Sequence, residues 1–295
     1  MADSPALAQL LLENGPLTLT LLPGLGGSVG ALRHNGEDVL RPLSPDAEPS
    51  PLETAGFPLF PFSGRISDGH FTWQDRRVAL QPNFLPETHA IHGQAWLSAW
   101  RVADSDEARA RLVFEYERGD WPWRYRAEQD FQLLEDGLEL TLSLTNKSDE
   151  LMPAGFGWHP YFPRQDARVK VAVDRIWKAE TGMIPDQLTR PTPAEDLTDW
   201  RVVDQLDLDN AYTVATPRAE MEWPGRRLRV DMTSDPALGH VVVYAPPGQD
   251  FYCVEPVSHA PDAVNSRHSA DVTGLRTLSP GETLSAKISL KIRAV

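Results

Sequence analysis

Cysteine is almost absent from this chain: Cys253 is the single one in 295 residues. An internal disulfide is therefore excluded, and such usage fits a reducing compartment better than secretion. Basic charge is also scarce. Against 42 acidic residues stand 28 basic ones, a net charge of −14 with no Lys/Arg block, which argues against a phosphate-backbone partner. Long apolar runs are missing too. Leu10-Leu11-Leu12 is too short for a membrane span or a leader's apolar region, and Met1-Ala2-Asp3-Ser4-Pro5 carries an acid where a leader carries bases. The expectation is a soluble, unprocessed, cytoplasmic protein that binds neither nucleic acid nor membrane. The Asn146-Lys147-Ser148 sequon reads as a turn after a strand. No glycine-rich phosphate loop or cysteine–histidine cluster announces a nucleotide or metal, so no cofactor is expected.

What the chain does have is period-two alternation. Leu284, Ala286, Ile288, Leu290 and Ile292 alternate with Ser285, Lys287, Ser289 and Lys291, as in a half-buried strand. Phe131 to Leu134, then Glu135-Asp136-Gly137, then Leu138, Leu140, Leu142 and Leu144 reads as a hairpin. Further strands are expected at 17–22, 71–73, 77–80, 111–117, 124–129, 169–173, 228–232 and 240–244. Long helical periodicity is nearly absent, with short helical turns expected only near Ala6 to Leu12 and Pro193 to Trp200. Many short strands punctuated by 26 prolines and 20 glycines point to an all-β sandwich. The proline-rich stretch from Pro42 to Pro61 contains Phe57, Leu59 and Phe60 and is too apolar for a solvated tether. An ordered loop and one domain over 1–295 are expected.

Five short frames carry polar residues suited to chemistry: Gly64-Arg65-Ile66, Ile91-His92-Gly93, Gly157-Trp158-His159-Pro160-Tyr161-Phe162, Asp209-Asn210-Ala211-Tyr212 and Val254-Glu255-Pro256. Two histidines, an arginine and two carboxylates make a kit for proton traffic on a neutral polyol. Each has a plain structural reading as well. Glu255, in the apolar run Phe251-Tyr252-Cys253-Val254-Glu255-Pro256, is costly to bury unless paired or functional, and a salt-bridged strand-end glutamate satisfies that too. His159 fits a core histidine, His92 a solvated loop histidine, Arg65 a surface ion pair. Around Asp209, Asp204 and Asp207 compete for one role. His89 lies three residues from His92, so in an extended segment the two face opposite ways and do not converge on one metal.

Order and frames together resemble the aldose 1-epimerase (galactose mutarotase) family, over about Leu17 to Ile292. That resemblance implies one large antiparallel β-sandwich with a sugar site in a cleft. It implies Glu255 as the base that takes the C1 hydroxyl proton, and His159 as the acid that protonates the ring oxygen. His92 would support the same charge development, Arg65 would contact hydroxyls near the ring oxygen, and Asp209 would accept from ring hydroxyls. Trp96, Trp158 and Tyr161 could stack on the sugar's C–H face, whereas Trp73, Trp100, Trp121, Trp123 and Trp223 suit packing. Many family members carry asparagine before the arginine; here Gly64 stands there, which bears on substrate preference. Cys253 would share the Glu255 side of its strand, as a buried, inert thiol.

The activity implied is interconversion of the anomers of a free aldose, by a monomer or homodimer. Alternatives are a hexose 6-phosphate epimerase, with Arg164, Arg175 and Arg267 as candidate phosphate contacts, and a non-catalytic sugar-binding module. A glycoside hydrolase accessory domain fits poorly, since a single acidic catalytic frame is present.

Overall fold

Alternation in the sequence is realised as strands almost wherever it occurs. The computed structural model describes residues 8–44, 46, 48–179 and 184–294. Thr283–Ala294 pairs on one side with Gly137–Asn146 and on the other with Leu228–Ser234, and its alternate residues Ala286, Ile288, Leu290 and Ile292 are buried. Tyr125–Leu134 and Gly137–Asn146 form the expected hairpin, closed at Leu134 opposite Gly137.

Among the described residues these strands join an 18-stranded antiparallel sheet, with three small two-stranded ladders beside it. An open sheet of that many strands cannot stay flat while its apolar face is wet, so it curls and packs on itself as a sandwich. Its main core runs without a break from Leu12 to Ile292.

Neither of the two short helical turns expected continues into a helix among the described residues. Residues 1–7 lie outside the described part, and Leu10–Asn14 is a strand whose Leu12 sits opposite Leu19. The short link at Gly15, with φ +56°, lets this strand fold straight back as an edge hairpin. Near Pro193 a single hydrogen-bonded turn forms over residues 193–195, where the Glu195 and Asp196 N–H groups both donate to the Thr192 carbonyl and Arg201 donates to the carbonyls of Pro193 and Asp196. Among the described residues the one α-helix is the four-residue Ala270–Thr273, and no helix is long and apolar enough to cross a membrane.

The proline-rich stretch is ordered as expected, since Gly56–Leu59 is a strand against Gly157–Pro163. That contact starts a row across the sheet. Phe57 faces His159, Val242 faces Glu255, and Ala211 faces Val242. One step along, Tyr161, Cys253, Tyr244 and Asp209 form a second row. The register that sets Tyr161 opposite Cys253 and Gly157 opposite Val257 also sets His159 across from Glu255. Alternate side chains share a face, so one sheet face gathers His159, Glu255 and Asp209 from three distant segments.

Candidate active site

That face floors a cleft of about 880 Å³, bordered by Arg65, His92, Trp96, His159, Tyr161, Asp209 and Glu255 among others. Seven of the eight residues singled out from the sequence thus meet in one place. The exception is Trp158, expected to stack on a ligand. It follows Gly157 and precedes His159 on one strand, so its ring points to the opposite face and is wholly buried in the main core.

His159 Nε2 lies 3.3 Å from Glu255 Oε1, and both side chains are buried. The imidazole is flanked on two sides, by Phe57 across the strand pair and by Tyr161 along its own strand, each ring centroid 4.7 Å away and tilted by about 25°, with Phe57 and Tyr161 6.1 Å from each other. Phe57 in turn stacks on Trp96 at 5.2 Å, and the Arg41 guanidinium covers Tyr161 at 4.4 Å. The His159 ring therefore has little freedom to turn. Burial lowers its pKa to about 3, with the Arg41 charge adding to the effect. Burial also pushes Glu255 well above the usual carboxylate range; Asp209 reinforces this and Arg65 opposes it. Each group is driven toward its neutral form, so the pair holds one proton between two stations.

Tyr161 and Trp96 border the cleft without offering an open ring face. Tyr161 is 4% exposed beneath Arg41 and against His159. The Trp96 indole N–H is shared between the carbonyls of Ile91 and Gly93, so this ring anchors the His92 loop.

That loop has an unusual backbone. His92 has φ +59° and Gly93 φ +70°, and a Cβ on Gly93 would stand 1.9 Å from the Phe60 carbonyl oxygen, so only glycine fits there. The strained turn is locked by a reciprocal pair. His92 N–H donates to the Gly64 carbonyl at 2.9 Å, and Gly64 N–H donates to His92 Nδ1 at 3.1 Å. With Nδ1 accepting, the neutral ring carries its hydrogen on Nε2. Burial, His159 and Arg65 all lower the His92 pKa, so it stays a neutral donor. His89 faces elsewhere and accepts from Asp68 N–H at 2.9 Å.

Arg65 reaches the cleft from the ladder Arg65–Ile66 with Ala90–Ile91 and pairs with Glu87 at 3.1 Å. Asp209 is the acid of its segment that reaches the cleft. Asp204 pairs instead with the buried Arg164 at 3.2 Å, and Asp207 lies outside the lining. The Asp209 carboxylate is wet within the cleft yet enclosed by protein, and desolvation raises its pKa against the pull of Arg65.

Arg164, Arg175 and Arg267 are all outside the lining. Arg164 is spent on Asp204 and the carbonyls of Val203, Leu206 and Pro246, and Arg267 donates to the Asp186 carbonyl. The cleft's further cations are Arg41 and Lys178, the latter 2.7 Å from Glu195.

Sequence reasoning passed over Phe57, Arg41, Glu87 and Tyr244. Tyr244 was within reach, since period two from Val242 puts it on the face that carries Glu255. The other three lie in loops or across a strand pairing that no local pattern announces.

The aldose 1-epimerase family profile matches residues 8–291. The uncharacterized Escherichia coli K12 protein YphB is 30% identical over 290 residues, 95% of this chain and 97% of that one. A crystal structure of an E. coli K12 protein, provisionally assigned as an aldose 1-epimerase, superposes with a TM-score of 0.89 at 29% identity, covering 98% of this chain and 99% of that one. A galactose mutarotase-like protein from Clostridium acetobutylicum has the same fold, with a TM-score of 0.88 at 22% identity over 97% of this chain and 95% of its own.

Proposed function

This chain belongs to the aldose 1-epimerase family, and on that premise we propose that it interconverts the α and β anomers of a free aldose by opening and reclosing the sugar ring. The observation that carries this reading is the buried His159–Glu255 contact of 3.3 Å at the floor of the cleft.

Ring opening needs the C1 hydroxyl to lose a proton while the ring oxygen gains one. With the shared proton on His159, Glu255 is the base and His159 the acid. Burial makes the carboxylate a stronger base and the imidazolium a stronger acid, so both shifts drive proton transfer in the opening direction. The open-chain aldehyde then faces a neutral Glu255–His159 pair. Rotation about the C1–C2 bond and reclosure return both protons, and the enzyme is restored.

The neighbouring groups hold and polarise the sugar. His92 donates from Nε2 beside His159, its ring 5.7 Å away and perpendicular, toward the charge that develops at the ring oxygen. Arg65 and Asp209 orient hydroxyls. A free aldose is favoured over a phosphorylated one because carboxylates outnumber cations in the lining, and Arg65 and Lys178 are already paired. The reading includes a cytoplasmic protein of one domain, working as monomer or homodimer.

Exchange NMR on equilibrated glucose, galactose, xylose and arabinose tests it. Wild type should accelerate α-to-β exchange of at least one sugar, and Glu255→Gln and His159→Asn should return it to the buffer rate. Sugars that bind while exchange stays at background would make the protein a binding module.

A further inference from the structure

Cys253 has no part in the proton traffic just described, yet its place in the sheet is not neutral. It lies two residues before Glu255 on one strand and directly opposite Tyr161. Its Sγ therefore reaches the same patch of floor as the proton pair. Cys253 Sγ, a His159 ring nitrogen and a Glu255 carboxylate oxygen all lie within 4.8 Å of one another, and all three residues are buried.

The spacing suits a metal better than a hydrogen bond. An N–O contact of 3.3 Å is long for a charge-assisted hydrogen bond. Donors bound to a tetrahedral zinc at about 2.0–2.3 Å stand roughly 3.3–3.6 Å apart. The nitrogen and oxygen already have that separation, and the sulfur needs a displacement on the order of 1 Å to reach it. Charge also balances, since one thiolate, one carboxylate and a neutral imidazole cancel a divalent cation. That matters on a buried floor, where net charge is costly. Two of the three donors, His159 and Glu255, border the cleft, and Cys253 lies wholly buried behind them.

We infer that Cys253, His159 and Glu255 form a binding site for a thiophilic divalent cation of the zinc or cadmium type, and that its occupation stops anomer exchange. The fourth position of the tetrahedron opens into the cleft, so sugar and ion compete. Binding displaces two protons, one from the thiol and one from the His159–Glu255 pair. The effect on exchange rests on the proposed acid and base roles; the binding itself does not.

Two readouts separate these. Cadmium titrated into the full-length protein should produce the ultraviolet thiolate-to-cadmium charge-transfer band, saturating at one ion per chain, and Cys253→Ala should show none. Zinc should slow exchange in wild type, and added sugar should relieve it. Cys253→Ala should retain the wild-type exchange rate without zinc, and need at least ~10–100-fold more zinc for equal inhibition, the loss that even an outer-shell partner causes. Cys253→Ser, of nearly equal volume, serves if the alanine variant does not fold. Absence of the band, or equal zinc sensitivity in the cysteine variants, overturns the site. A band without any exchange activity keeps the metal site and rejects the epimerase reading.

Discussion

His159 and Glu255 stand across from each other on neighbouring strands, 3.3 Å apart, with burial pulling their pKa values in opposite directions. In water the imidazole would hold the proton; on this floor the carboxylate competes for it. The pair works only while it holds exactly one proton, and that requirement governs its dependence on pH.

Activity should fall on the acid side as a second proton joins His159, near pH 3, and on the alkaline side as the shared proton leaves. Because Glu255 is raised, the alkaline limb should lie well above its ordinary value of 4.5. Glu255→Gln and His159→Asn should each lower kcat by about 10²–10⁴-fold. A pH profile of kcat/KM by exchange NMR checks this, and an alkaline limb at ordinary carboxylate pH would contradict it.

Asp209→Asn should act in two ways. Losing a charged acceptor for a sugar hydroxyl should raise KM roughly 10-fold or more. Removing its negative charge takes away an influence that raises Glu255, so the alkaline limb should move to lower pH. A KM change with an unmoved limb would separate Asp209 from the proton pair.

Gly64→Asn puts in place the residue common in the family. Its φ of +69° is one asparagine tolerates, but the new Cβ would sit 3.1 Å from Pro261 Cβ. A stability loss of about 1–2 kcal/mol by urea denaturation is expected. A gained hydrogen bond should change relative KM values among aldoses roughly 2–10-fold. Unchanged KM ratios would show that this position does not set preference.

Trp158→Leu should cost about 3 kcal/mol of stability through the cavity it leaves. KM should stay as in wild type, because the ring lies on the far face of the strand. A large KM rise with full stability would return Trp158 to the ligand.

His240 offers a test of acid stability. It is 5% exposed, and burial lowers its pKa to about 4, helped by His259. Between pH 6.5 and about 4 the unfolded state binds the proton and the folded state does not, so stability is lost as pH falls. From pH 7 to pH 5 this one residue should cost roughly 2 kcal/mol. Glu255, raised by the fold, contributes with the opposite sign above 4.5. Comparison of wild type with His240→Gln isolates the histidine; equal pH-dependent losses in the two would reject the assignment.

The strands were legible in the sequence because their signal is local. Alternation from Leu284 to Ile292 needs no knowledge of the partner strand, only that one face is wet and the other dry. The same period placed Cys253 beside Glu255, and applied to Gly157-Trp158-His159 it would have sent Trp158 to the core. His159, Glu255, Asp209, Arg65 and His92 were legible as types, each a polar residue in an apolar or proline-rich frame. Their meeting was not. Register between Gly56–Leu59, Gly157–Pro163 and Phe251–Val257 is set by pairings of residues 88 to 104 positions apart in the chain. Those pairings brought Phe57 against His159, set the thiol of Cys253 near the proton pair, and closed the cleft with Arg41 and Glu87. Composition and alternation decide which residues can be buried; only the closed sheet, by pairing distant strands in one register, decides which of them touch.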